Sequence, residues 1–173
     1  MAVGNLELIS KTSFSNITSG DVDNIFSDTY DVYFWTANGN STLSTNLTGV
    51  DLRLLDSSGT VISATEYDYA YLQLNTASAF VEARNTSQNK LLNYIGTADI
   101  EPEGNNSSGY IFNPYNSSSY TFFTAQNSNS FNTATRGFKY IGVHKSAETC
   151  RGVNIFSPTT ENFNIDFSVY GVK

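Results

Sequence analysis

Apolar residues along this chain recur at every second position in short runs, without the three- and four-residue spacing of a helical stripe. The final stretch is clearest: Phe163, Ile165, Phe167 and Val169 fall on one side, while Asn164, Asp166 and Ser168 fall on the other. That alternation predicts strands of an antiparallel sheet with one face buried and one wet. By the same reading, strands run from Leu6 to Phe14, Tyr30 to Thr36, Val50 to Asp56, Thr60 to Leu74, Ala79 to Arg84 and Leu91 to Ile95. Further strands run from Tyr110 to Phe112, Tyr120 to Ala125, Phe138 to His144, Gly152 to Phe156 and Phe163 to Val172.

Turn chemistry supports these divisions. Asp56-Ser57-Ser58-Gly59 lies between two apolar pairs, so an Asp-capped turn closing on a left-handed glycine is expected there. Asn38-Gly39-Asn40, the stretch from Glu103 to Gly109 and Asn113-Pro114-Tyr115-Asn116 read as loops, and Thr124 to Thr135 as a longer exposed excursion. About eleven short strands without helices predict one antiparallel domain over residues 1–173, a β-sandwich or jelly roll, with a closed barrel as the alternative. First and last strands are expected to lie side by side, since a bare terminal edge invites aggregation.

Composition agrees. Asn, Ser and Thr number 20, 22 and 19 among 173 residues, and these side chains compete with helical hydrogen bonds. Eleven Tyr and 12 Phe give too much apolar surface for a disordered chain. A formal charge of -7, with no eight-residue window holding more than two of the nine basic residues, argues against nucleic acid as a partner. No apolar run approaches a membrane span and no secretory leader is evident, so no membrane association is expected. Seven Asn-X-Ser/Thr triplets are close to the roughly five that chance supplies at this composition.

Reactive groups are few. His144 and Cys150 are the single histidine and cysteine. A catalytic reading makes His144 a general base for Cys150, oriented by Glu148; the plainer one leaves a strand-end histidine over an aromatic neighbour and a buried thiol. With one His and one Cys there is no Cys- or His-rich zinc cluster, so the metal considered is calcium held by oxygens, with Asp21, Asp23, Asn24 and Asp28 the densest group. Solvated turn residues are the simpler account of those four. Glu101 and Glu103, flanking Pro102, form a glycosidase pair only if a second carboxylate faces them at the right separation. No catalytic residue, metal or cofactor is expected. The aromatics singled out for an interface or a ligand are Trp35, Tyr67, Tyr69 and Tyr71, either as a stacking platform for sugars or a subunit, or as a row of the core. The shift of apolar residues to Ala70, Leu72 and Leu74 predicts a bulge or burial on both sides.

Four stretches carry a family resemblance: Leu6-Glu7-Leu8-Ile9-Ser10-Lys11, Asp28-Thr29-Tyr30-Asp31-Val32-Tyr33-Phe34, Ile111-Phe112-Asn113-Pro114-Tyr115 and Phe167-Ser168-Val169-Tyr170-Gly171-Val172-Lys173. Together they resemble small β-rich virion structural proteins of tailed bacteriophages, especially marine phages of cyanobacteria. The resemblance implies a non-enzymatic particle component, with coat or other virion proteins and further copies of itself as partners. Capsid decoration is the first expectation. A tail-associated module gripping host surface glycans is the second.

Overall fold

Strand-forming alternation and the pairing of Asn, Ser and Thr across strands build the whole architecture. A computed structural model of the chain describes residues 5–41, 49–96, 104–131 and 134–173, and these contain twelve strands and no helix. In chain order they are β1 (Leu6–Ile17), β2 (Ser19–Val22), β3 (Val32–Ser41), β4 (Val50–Asp56), β5 (Tyr67–Asn75) and β6 (Val81–Gln88). There follow β7 (Leu91–Gly96), β8 (Asn105–Phe112), β9 (Thr121–Phe131), β10 (Ala134–His144), β11 (Cys150–Phe156) and β12 (Phe163–Val172).

All pairings are antiparallel, in two sheets. The large sheet runs β1-β12-β3-β8-β9-β10-β5-β6, and the small one β2-β11-β4-β7. First and last strands do pair, Leu6 opposite Val172 through Ile17 opposite Phe163. Among the described residues β1 pairs only with β12 and β6 only with β5, so the large sheet is open and does not close into a barrel. The pairs β5–β6 and β9–β10 add four strands to one side of it.

One hydrophobic core joins the sheets. At its centre the indole of Trp35 on β3 stacks on Phe167 of β12, with ring centroids 5.6 Å apart, and its Nε1–H donates to the hydroxyl of Tyr94 on β7 at 3.1 Å. The Tyr94 hydroxyl donates in turn to the carbonyl of Thr124 at 3.0 Å, so a tyrosine of the small sheet is anchored to the backbone of the large one. Gly109 makes room for this: a Cβ there would stand 2.8 Å from Trp35 Nε1 and collide with the Thr124 carbonyl.

Several sequence expectations change. The Asp56–Gly59 turn forms as read, with Asp56 Oδ1 accepting from the Ser58 and Thr60 amides and Gly59 at φ +85°. The strand expected after it does not; Val61 makes one bridge to Leu55 and regular pairing starts only at Tyr67. Strand β2 was not anticipated, being short and carrying one apolar residue, Val22. Asn38-Gly39-Asn40 and residues 105–109 are strand, not loop, and within the expected excursion from Thr124 to Thr135 residues 124–131 belong to β9 and Ala134 and Thr135 to β10. Loop-favouring Asn and Ser are held in strands by cross-strand pairing, which outweighs their local preference. Asn38 Nδ2 donates to Asn106 Oδ1 at 2.5 Å, Asn164 Nδ2 to Asn40 Oδ1 at 3.0 Å, and buried Asn105 to the Ile95 carbonyl at 2.7 Å.

Candidate functional site: the open face of the large sheet

Burial alternates along the large sheet, so its inner residues face the small sheet and its outer residues face solvent. The outer residues divide into two zones. One row crosses six strands through Leu8, Tyr170, Phe34, Tyr110, Thr124 and Ile141, each directly opposite the next. Beside it another row contains Val32, Phe112, Phe122 and Val143. No charged side chain lies in these two rows between β12 and β10. The rings form a continuous surface: Phe34 lies 5.2 Å from Tyr110 and 6.0 Å from Tyr170, and Tyr110 stacks on Phe112 at 6.0 Å. Exposure is substantial, reaching 61% at Ile141, 56% at Leu8, 47% at Phe122 and 41% at Tyr110.

Toward the other end of the same face the character changes. The next row is Lys11, Ser168, Thr36, Ser108, Gln126 and Lys139, and beyond it lie Asp166, Asn38, Asn106 and Ser128. A shallow hollow on the β10-β5-β6 side is lined by Ala70, Leu72, Glu82, Arg84, Lys139 and Ile141. Single exposed apolar residues are ordinary, but a contiguous, uncharged aromatic band is the composition of a protein contact surface.

The aromatics named from the sequence lie elsewhere. Trp35, Tyr67 and Tyr69 are buried on the inner face, which bears out the core-row reading and corrects the alternative of an exposed contact. Tyr67 accepts from the Leu54 amide and donates to the Ile62 carbonyl, both at 3.1 Å, a fully used hydroxyl inside the core. Tyr69 stacks on Tyr140 at 5.5 Å, and burial pushes its hydroxyl up to about 12. Tyr71, partly buried, stacks on Tyr140 and meets Phe138 edge-on at 5.3 Å. Of the two alternatives for β5, burial on both sides is absent, because Leu72 and Leu74 are exposed on the outer face, while a register shift interrupts the β5–β6 pairing between Tyr67 and Tyr69. The sequence signal for the band was present in Phe34, Tyr110, Phe112, Phe122 and Tyr170, but only the register shows that they share one face.

The expected chemistry is rearranged too. His144 is buried at the end of β10, its ring 4.8 Å from Tyr67, with Nε2 at 3.2 Å from Glu66 Oε2 and 3.6 Å from Glu148 Oε1. Burial lowers the imidazole pKa, opposed by the two carboxylates. Cys150 is buried, and burial, reinforced by the charge on Glu148, pushes its thiol up to about 12, so it has no nucleophilic character near neutrality. Asp21, Asp23, Asn24 and Asp28 do not converge on a cation. Asp23 binds Arg151 through two bonds of 2.6 and 2.8 Å, and Asp21 accepts from Asn154 at 2.6 Å. Glu101, Pro102 and Glu103 lie outside the described residues.

No family model matches the chain and no curated protein matches it. Among solved structures it is similar to Ail, the attachment invasion locus protein of Yersinia pestis in complex with the heparin analogue sucrose octasulfate. The identity is 7%, the match covers 71% of this chain and 97% of Ail, and the TM-score is 0.21. A likeness at that level carries no argument about fold or function.

Proposed function

We propose that this chain is a non-enzymatic virion structural protein of the tailed-phage type, an accessory protein that decorates the capsid shell and docks through the aromatic band of its large sheet. The band carries the proposal. An uncharged run of Tyr170, Phe34, Tyr110 and Phe122 suits burial against coat protein or another copy of the chain, while the one thiol and the one imidazole are withdrawn into the core. The strand order supports a jelly-roll sandwich as the scaffold. Setting aside β5–β6 and β9–β10, the remaining strands pair as β1 with β12, β2 with β11, β3 with β8 and β4 with β7, the nested pairs of a rolled-up hairpin. A rigid, acidic, Asn/Ser/Thr-surfaced domain also suits a particle surface that must avoid its own DNA.

The second reading is a tail-associated module binding host glycans. It is favoured by the Asn38, Asn106 and Gln126 amides lying on the same face as the aromatic band.

The test is the double substitution Tyr110→Ser and Phe122→Ser. Both side chains point outward, so melting temperature is expected to stay within a few degrees of the parent, since exposed substitutions change stability by about 0.5 kcal/mol or less. Incorporation into purified particles is expected to fall at least about tenfold, the result of losing one or two contact anchors. Undiminished incorporation contradicts the docking role, and selective loss of glycan binding with assembly intact favours the second reading.

A further inference from the structure

We infer that Glu66, His144 and Glu148 form a binding site for a divalent transition metal of the zinc class, independent of the contact face. Three separate segments meet here: Glu66 immediately before β5, His144 at the end of β10, and Glu148 in the connection to β11. Their donor atoms all lie within 4.8 Å of one another. The separations from His144 Nε2, 3.2 and 3.6 Å, bracket the edge of a tetrahedron, which is about 3.3–3.6 Å for metal–ligand bonds of about 2.0–2.2 Å. One imidazole and two carboxylates, with a fourth position left for water, is a donor set that zinc accepts and that calcium, which prefers oxygen alone, does not.

Two further observations point to a cation. The imidazole is held rigidly: it is buried, its strand is paired on both sides, and the Lys145 amide donates to the Glu66 carbonyl at 2.8 Å, tying the two ligand segments together. The pair of carboxylates also lacks a counterion among the described residues, because the nearby Lys145 is committed to Asp68 at 2.8 Å. The neutral form of an imidazole is the one that coordinates metal. On binding, the ring proton moves from Nε2 to Nδ1, with no net gain or loss. Nδ1 is buried and without a partner among the described residues, so it is open to carry that proton.

Zinc chloride titrated calorimetrically into the metal-stripped full chain is expected to bind one ion per chain. It should raise the melting temperature by several degrees once zinc greatly exceeds its dissociation constant. Glu66→Gln and Glu148→Gln are each expected to weaken binding at least about tenfold, since loss of even an outer-shell partner has that effect, while leaving the metal-free melting temperature close to the parent. His144→Ala should abolish binding, and the two carboxamide variants keep the test decisive if that protein does not fold. Cobalt(II) should give the visible absorption of a tetrahedral nitrogen–oxygen site without a thiolate band, because Cys150 is not a ligand. No zinc uptake at millimolar concentration, or uptake unchanged in the Glu66→Gln/Glu148→Gln double variant, overturns the site.

Discussion

Replacing Trp35 by alanine is expected to cost about 3–5 kcal/mol of folding stability, the range for truncating a large buried aromatic. Against a total of about 5–15 kcal/mol for an ordinary domain, that leaves the variant marginal or unfolded. Trp35 is fully buried, packs on Phe167 and Tyr94, and donates to the Tyr94 hydroxyl. Alanine therefore removes core volume from both sheets and deprives Tyr94 of a donor. Trp35→Phe restores most of the volume without the N–H, so it should lose clearly less. Urea unfolding of the two variants separates the packing share from the hydrogen-bond share. A loss below about 1 kcal/mol for Trp35→Ala is the surface-substitution range and would mean that Trp35 does not hold the sheets together.

The second large effect lies at the small sheet. Asp51 on β4 has a fully buried carboxylate, paired with Lys90 Nζ at 2.6 Å and accepting from the Asn93 amide at 2.8 Å. Removing one partner of a buried pair leaves an uncompensated charge, so Lys90→Met is expected to cost about 3–5 kcal/mol near neutral pH. Burial already raises the Asp51 pKa despite Lys90, and losing Lys90 raises it further. With a folded pKa above the unfolded value of about 3.9, the folded state binds more protons, so stability falls as pH rises from that value through the folded pKa. The deficit of Lys90→Met relative to the parent should therefore shrink on acidification from pH 7.5 to pH 5. Adding Asp51→Asn should recover most of it at neutral pH, because the buried charge is gone. A deficit that does not vary with pH would assign the loss to packing of the lysine stem.

Strand positions were largely legible because period-two alternation is a local signal, and β4, β7 and β12 appear close to where the pattern placed them. The Asn- and Ser-rich strands were not, because Asn38, Asn40 and Asn106 carry turn preferences that only their cross-strand partners overcome. The aromatic face was hidden for a related reason. Tyr67 and Tyr69 attract attention as a run, yet their side of β5 faces the core, while Phe34, Tyr110 and Phe122 are far apart in sequence and adjacent only through the β3-β8-β9 register. Likewise Glu66 and His144 stand 78 positions apart and meet because β5 pairs with β10.

The most direct measurement is to locate this protein on intact particles by cryo-electron microscopy of purified virions. The account predicts density in many copies on the icosahedral shell, with Phe34, Tyr110 and Phe122 covered by another subunit. A few copies at the tail, or that face open to solvent on the particle, would contradict it.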